Sequence, residues 1–138
     1  MRGAQTQMAK SLKISSSDLV AAARARITEF TAREAIAMAE SDDVVIVDLR
    51  DPREREREGI IEGSFHCPRG MAEFWVDPHS PYFKGIFGRD KTFLFHCASG
   101  WRSALTVATL SDMGFENAAH VSDGFKGWVA AGGPVAKP

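Results

Sequence analysis

The chain has only two cysteines, Cys67 and Cys97, among its 138 residues. That is too few for a disulfide scaffold, and neither belongs to a Cys-x-x-Cys pair, so no metal site is expected. No apolar run approaches the ~18–20 residues needed to cross a bilayer. No apolar segment follows Arg2 and Lys10 as a secretion signal would require. Charge of one sign is lacking as well: Lys and Arg total 17 and Asp and Glu 18, a formal net charge of −1. Strong electrostatic attraction to nucleic acid or an anionic membrane is therefore not indicated, and no such partner is expected. There is no internal repeat. What remains is ordinary for a globular domain, with 44% hydrophobic and 25% charged residues. The expected setting is a reducing cytoplasm, in which a reactive thiol stays reduced between turnovers.

Residues 1 to about 11 are polar and without period, which predicts a mobile tail. Ser15-Ser16-Ser17-Asp18 offers N-cap chemistry for a helix running to about Arg26, with Leu19, Val20 and Ala23 as its apolar stripe. Residues 1–26 thus form a tail and extension helix, suited to packing on the domain or on a partner chain, ahead of a domain over 27–138. Thr31-Ala32-Arg33-Glu34 is a capping box that opens an alanine-rich helix to Glu40. Val44 to Asp48 is a β-branched run of the kind buried on both faces of a sheet, and Pro52 forbids its continuation. The charges of residues 53–58 alternate in sign and predict a solvated helix or loop face. Phe65-His66-Cys67 is a short strand stopped by Pro68. Residues 69–90 are aromatic, rich in turns and too long for a plain connection, so they carry function or cover a site. Thr92–His96 and Ala118–Val121 are strands. A helix over 103–113 closes at Gly114, and a last helix opens at Asp123-Gly124 and stops at Gly132-Gly133-Pro134. Helices alternating with buried strands imply an α/β fold around a mostly parallel sheet.

The telling position is Cys97. It stands where the strand Thr92–His96 turns through Ala98-Ser99-Gly100-Trp101-Arg102 into a helix. A thiol there meets unpaired backbone N–H groups and the positive end of the helix dipole. Both favour thiolate, the nucleophilic form, and so an enzyme or sulfur carrier over a passive domain.

Four elements in order make the chain similar to the single-domain rhodanese family of sulfurtransferases over about residues 29–131. Asp48-Leu49-Arg50-Asp51-Pro52 with Glu54 resembles the family's Asp-x-Arg-x-Pro-x-Glu element. Gly59-Ile60-Ile61-Glu62-Gly63-Ser64 resembles "GHIPGA", with Ile60, Ile61 and Glu62 departing from it. Cys97-Ala98-Ser99-Gly100-Trp101-Arg102-Ser103 resembles the active loop Cys-x-x-Gly-x-Arg-Ser. Asp123-Gly124-Phe125-Lys126-Gly127-Trp128 resembles "GG-x-x-x-W", with Asp123 in place of the first glycine. The resemblance implies a five-stranded sheet with helices on both faces and Cys97 at the base of a cradle-shaped loop. It implies that Cys97 takes a sulfur from thiosulfate or another sulfane donor as a persulfide and passes it to cyanide, a small thiol or a protein thiol. No cofactor is implied.

Within that loop, N–H groups from Ala98 to Arg102 would form an anion nest, and Gly100 permits a backbone that a Cβ would hinder. Arg102 can hold a sulfonate or sulfate leaving group through two N–H bonds. Trp101 either walls the pocket mouth or covers apolar surface. Ser103 is a first-turn helix residue whose hydroxyl faces the loop, with a direct ligand role left open. Cys67 reads as a buried small hydrophobe; its alternative, a resolving thiol, requires Cα atoms within about 7 Å of each other. His66 and His96 neighbour the cysteines on strands, where adjacent side chains point to opposite faces, which disfavours a Cys–His dyad. Asp48 and Arg50 brace the loops by an ion pair. Two other classes compete: a non-catalytic rhodanese-like interaction module, and a cysteine phosphatase or arsenate reductase. The latter's loop resembles Cys-x5-Arg, whereas four residues separate Cys97 from Arg102 here. A second copy of this chain is a further candidate partner, through the extension helix or residues 71–87.

Overall fold

β-branched and aromatic runs build a sheet buried on both faces, and the rest of the chain covers it. The computed structural model describes residues 10–138, so the tail reading over residues 1–11 falls almost wholly outside the described residues. The strands are β1 (Thr28–Phe30), β2 (Val44–Asp48), β3 (Ile60–Ile61), β4 (Phe65–His66), β5 (Thr92–His96), β6 (Ala118–Val121) and β7 (Val135–Ala136). The helices are α1 (Ser16–Arg24), α2 (Ala32–Met38), α3 (Pro52–Glu58), α4 (Ala72–Val76), α5 (Trp101–Asp112) and α6 (Gly124–Ala130). Five strands form one sheet in the order β1-β6-β5-β2-β4, and every pairing in it is parallel. β3 and β7 pair antiparallel as a separate two-stranded ribbon.

Period-two alternation divides the core. Val47, Phe93 and Phe95 face α4 and α5, packing with Val107, Leu110 and Phe87. Ile46, Leu94, Ala119 and Val121 face α2 and α6, packing with Ala35, Phe125 and Trp128. The segment 69–90 departs from the loop predicted for it. It folds as α4 between two 3-10 turns, and Phe87, Trp75, Phe83 and Ile86 complete the α5-side core instead of standing over a site. Phe87 meets Phe65 and Phe115 edge-on, Phe93 at a tilt and Phe95 stacked, with ring centroids 5.2 to 6.4 Å apart.

α1 starts at the predicted cap, where Ser15 Oγ accepts from Asp18 N–H, and ends two residues before the predicted Arg26. Val20 and Ala23 bury against Ala104 and Ala108 of α5. The α2 capping box forms as predicted between Thr31 and Glu34. α5 starts at Trp101, two residues earlier than predicted, because Gly100 takes the cap position in the left-handed region (φ +99°).

Candidate active site

In a parallel sheet the C-terminal strand ends share one edge, and connections leaving that edge form the natural site. β2 delivers Asp48, β4 His66, β5 His96 and Cys97, and β6 His120 to this edge. The 97–103 loop leaves β5 there and is pinned from below. Phe125 N–H donates to Cys97 O at 2.8 Å and Lys126 N–H to Ala98 O at 3.2 Å. A trans peptide points its N–H opposite its C=O, so the N–H groups of Ala98 and Ser99 face away from α6. Two glycines make this approach feasible. A Cβ on Gly124 would lie 2.6 Å from Ala98 O, and one on Gly100 2.3 Å from Ser122 O.

Cys97 is 1% exposed at the floor of the loop. Gly100 N–H donates to its Sγ at 3.2 Å. Of the N–H groups expected from Ala98 to Arg102, this one reaches hydrogen-bonding geometry with Sγ. The Sγ–H donates to Ser103 Oγ at 3.6 Å, a reach open to a large sulfur atom. Ser103 is fully buried in the first turn of α5, while Ser99 and Trp101 are exposed on the loop's outer side.

Arg102 does not extend free into the loop. Its fork is taken by Glu54 at 2.8 Å through each terminal nitrogen, an interaction that sequence reading missed. The Arg102 hydrogen bond, opposed by burial, holds the Glu54 carboxyl down at about 2. Arg102 is correspondingly raised by that hydrogen bond, against the cost of burial. Glu54 is itself placed by a second capping box, in which Asp51 accepts from Arg53 and Glu54 N–H and Glu54 accepts from Asp51 N–H. The charge run 53–58 is therefore a helix whose first turn serves the site.

Asp48 and Arg50 form the expected ion pair, fully buried, with bonds of 3.0 and 3.1 Å. Arg50 also donates to Gly59 O at 2.8 Å and lies 4.1 Å over the Phe125 ring. His96 points to this side, stacked on Phe125. Complete burial pushes it down to about 4 despite Asp48 nearby. It is on the face away from the thiol, as strand alternation requires. Cys67 is fully buried, and desolvation pushes it up to about 12, the behaviour of an inert thiol. Cys67 follows β4, which lies two places from β5, with β2 between. At about 4.8 Å per strand the separation exceeds disulfide reach.

The residue missed altogether is His120. Ala119 and Val121 face α6, so alternation turns His120 toward α5. There its Nδ1 lies 2.8 Å from Ser103 Oγ, and its Nε2 lies 2.6 Å from Glu29 Oε2. Glu29 sits directly opposite it in the β1–β6 register. The alternation of Ala118-Ala119-His120-Val121 was the available signal.

The model of the rhodanese-like domain matches residues 31–131. A thiosulfate sulfurtransferase GlpE from Glaesserella parasuis is 31% identical over 109 residues, covering 78% of this chain and 92% of that protein. A solved protein of unknown function from Rhodopseudomonas palustris, named a possible tyrosine phosphatase, is 50% identical with a TM-score of 0.88, covering 93% of this chain and 98% of that one. The polysulfide-sulfur transferase homodimer from Wolinella succinogenes is 26% identical with a TM-score of 0.67, covering 86% and 85%. Among the described residues no helix is long and apolar enough to cross a membrane.

Proposed function

The chain belongs to the rhodanese-like domain family, and on that premise we propose that it is a sulfurtransferase working through a persulfide on Cys97. The carrying observation is the Gly100 N–H aimed at Cys97 Sγ from 3.2 Å at the floor of a short loop. In the first step the Cys97 thiolate attacks the outer sulfur of thiosulfate or of a persulfide donor. The new Sγ–S bond forms as the donor's S–S bond breaks, and the electron pair leaves on sulfite or on the donor thiolate. In the second step cyanide, a small thiolate or a protein thiolate attacks the outer sulfur, and the pair returns to Sγ. An oriented donor at the sulfur is worth ~3 kcal/mol in such a transition state. The amides of Ala98 and Ser99 and the Arg102 charge hold the anionic donor, with Trp101 and Ser99 at the mouth.

The name carried by the Rhodopseudomonas palustris relative raises phosphoryl chemistry as a second reading. With four residues between Cys97 and Arg102, the ring fits one sulfur atom better than a tetrahedral phosphate. Incubation with thiosulfate followed by intact-mass measurement decides. The protein should gain one sulfur, lose it to added cyanide or thiol, and gain none as Cys97→Ala. Failure to take up sulfur from thiosulfate or polysulfide would leave the interaction-module reading standing, and turnover of a phosphate ester would establish the phosphatase.

A further inference from the structure

We infer that Ser103, His120 and Glu29 form a proton-accepting chain that draws the hydrogen off Cys97 Sγ, with Arg24 of the N-terminal helix clamping its outer end. The inference rests on the sulfur-transfer reading for its purpose, since that chemistry needs a thiolate, but it stands on its own geometry. The contacts run without a break: Sγ to Ser103 Oγ at 3.6 Å, Oγ to His120 Nδ1 at 2.8 Å, Nε2 to Glu29 Oε2 at 2.6 Å. Arg24 Nε donates to the same carboxylate oxygen at 2.7 Å, and its terminal nitrogen donates to Ser122 O at 2.9 Å.

One set of proton positions satisfies every atom. An ionised Glu29 can only accept, so His120 carries its hydrogen on Nε2 and presents a bare Nδ1. Ser103 then donates to Nδ1, which leaves its lone pairs for the Cys97 S–H. The alignment points each hydrogen outward, away from the thiol. When Sγ ionises, its proton passes to Ser103 Oγ while the Ser103 hydrogen passes to Nδ1. The products are a thiolate and an imidazolium held against Glu29. The same proton returns along the chain whenever Sγ is next protonated, so no outside acid or base is consumed.

Charge at the far end supports this direction. Against the cost of burial, hydrogen bonds from His120 and Arg24 hold Glu29 below the usual carboxylate range. Burial lowers His120, keeping it free to accept, while Glu29 opposes that shift. Among the described residues the charged groups facing His120 are Glu29 on β1 and Arg24 on α1; α5 presents Ser103 and the loop presents Gly100. His96, on the neighbouring strand β5, has no part in the chain. It faces Phe125 and Asp48 instead.

The test reads the thiolate directly and needs neither sulfur donor nor acceptor. The ultraviolet thiolate band of Cys97 is followed against pH as the difference between each protein and its Cys97→Ser counterpart. Ser103→Ala and His120→Gln should each cut the thiolate fraction at neutral pH about tenfold, and Glu29→Gln about threefold, with the titration displaced upward accordingly. The chain is overturned if Ser103→Ala leaves the band in place. It is also overturned if Ser103→Ala alone moves it, because a hydroxyl acting only on its neighbour would ignore His120 and Glu29. Should His120→Gln not fold, Glu29→Gln at the partly exposed sheet edge decides: an upward displacement supports the chain, and an unmoved titration overturns it. An unmoved titration would overturn this chain and leave the persulfide reading standing, and absence of sulfur uptake would overturn that reading and leave the titration result standing.

Discussion

Arg102 shows how a residue that a motif assigns to substrate is first committed to the protein. Two charge-assisted bonds of 2.8 Å lock its guanidinium plane onto Glu54, so the donor-binding role proposed for Arg102 would start from a group already oriented. Replacing Glu54 with Gln keeps the shape and removes the charge. Because the Arg102 side chain is 40% exposed, the expected loss of stability at neutral pH is only about 1 kcal/mol. The larger effect should be a several-fold rise in KM for an anionic sulfur donor, with kcat less affected. The pH dependence follows from the carboxyl's depression to about 2. A lowered pKa contributes stability that is complete above the ordinary carboxylate range and is lost as pH falls through the folded value. Urea unfolding of the two proteins should therefore differ at pH 7 and converge as the pH drops below about 4. A gap that stays constant into acid would show that the ion pair contributes nothing through its charge.

At the scale of elements, the sequence was legible where local signals suffice. β2 and β5 carry continuous apolar runs, and the Thr31–Glu34 box marks its helix within four residues. β1 was not legible: Thr28–Phe30 has three residues and one apolar side chain, and it is a strand only because β6 offers it an edge. The Glu29–His120 contact spans 91 positions, a separation no local pattern encodes. The loop and the turn into α6 are likewise joined only in three dimensions, at Gly124. That residue has φ +63°, and its added Cβ would meet Ala98 O at 2.6 Å. Gly124→Ala should cost about 2–3 kcal/mol, from the left-handed backbone together with the displaced carbonyl, and sulfur transfer should fall by more than the remaining folded fraction explains. Gly63 is the control, with φ +80° and nothing within 4 Å of its built Cβ. Gly63→Ala should cost about 1 kcal/mol and leave transfer by the folded protein unchanged. Equal effects on transfer from both variants would mean that the α6 turn does not set the loop's geometry.

Over the whole molecule, the two-faced sheet places its ionisable residues in unequal company. Asp48, Arg50, His96 and His120 are all 0% exposed and all lie toward the strand ends that carry Cys97. The carboxylates there are paired and depressed, so the stability they contribute is lost only as pH falls from the ordinary carboxylate range toward their folded values. The histidines behave differently. His96 is lowered from 6.5 to about 4 by desolvation, so between those values the unfolded chain binds a proton that the folded chain refuses. The stability present above pH 6.5 must then decline as pH falls, by up to about 1.4 kcal/mol per pH unit for this one group. His120, lowered in the same direction, adds to the slope. The protein should accordingly lose stability in mild acid, well before its carboxylates titrate. His96→Gln removes the larger contributor. Whatever it costs at pH 7, its stability should vary with pH less steeply than the native protein's between about pH 6.5 and 4. Parallel curves for the two proteins across that window would mean that His96 accepts a proton inside the folded core, and that the packing of Phe125 and Arg50 around it yields to let the charge be solvated.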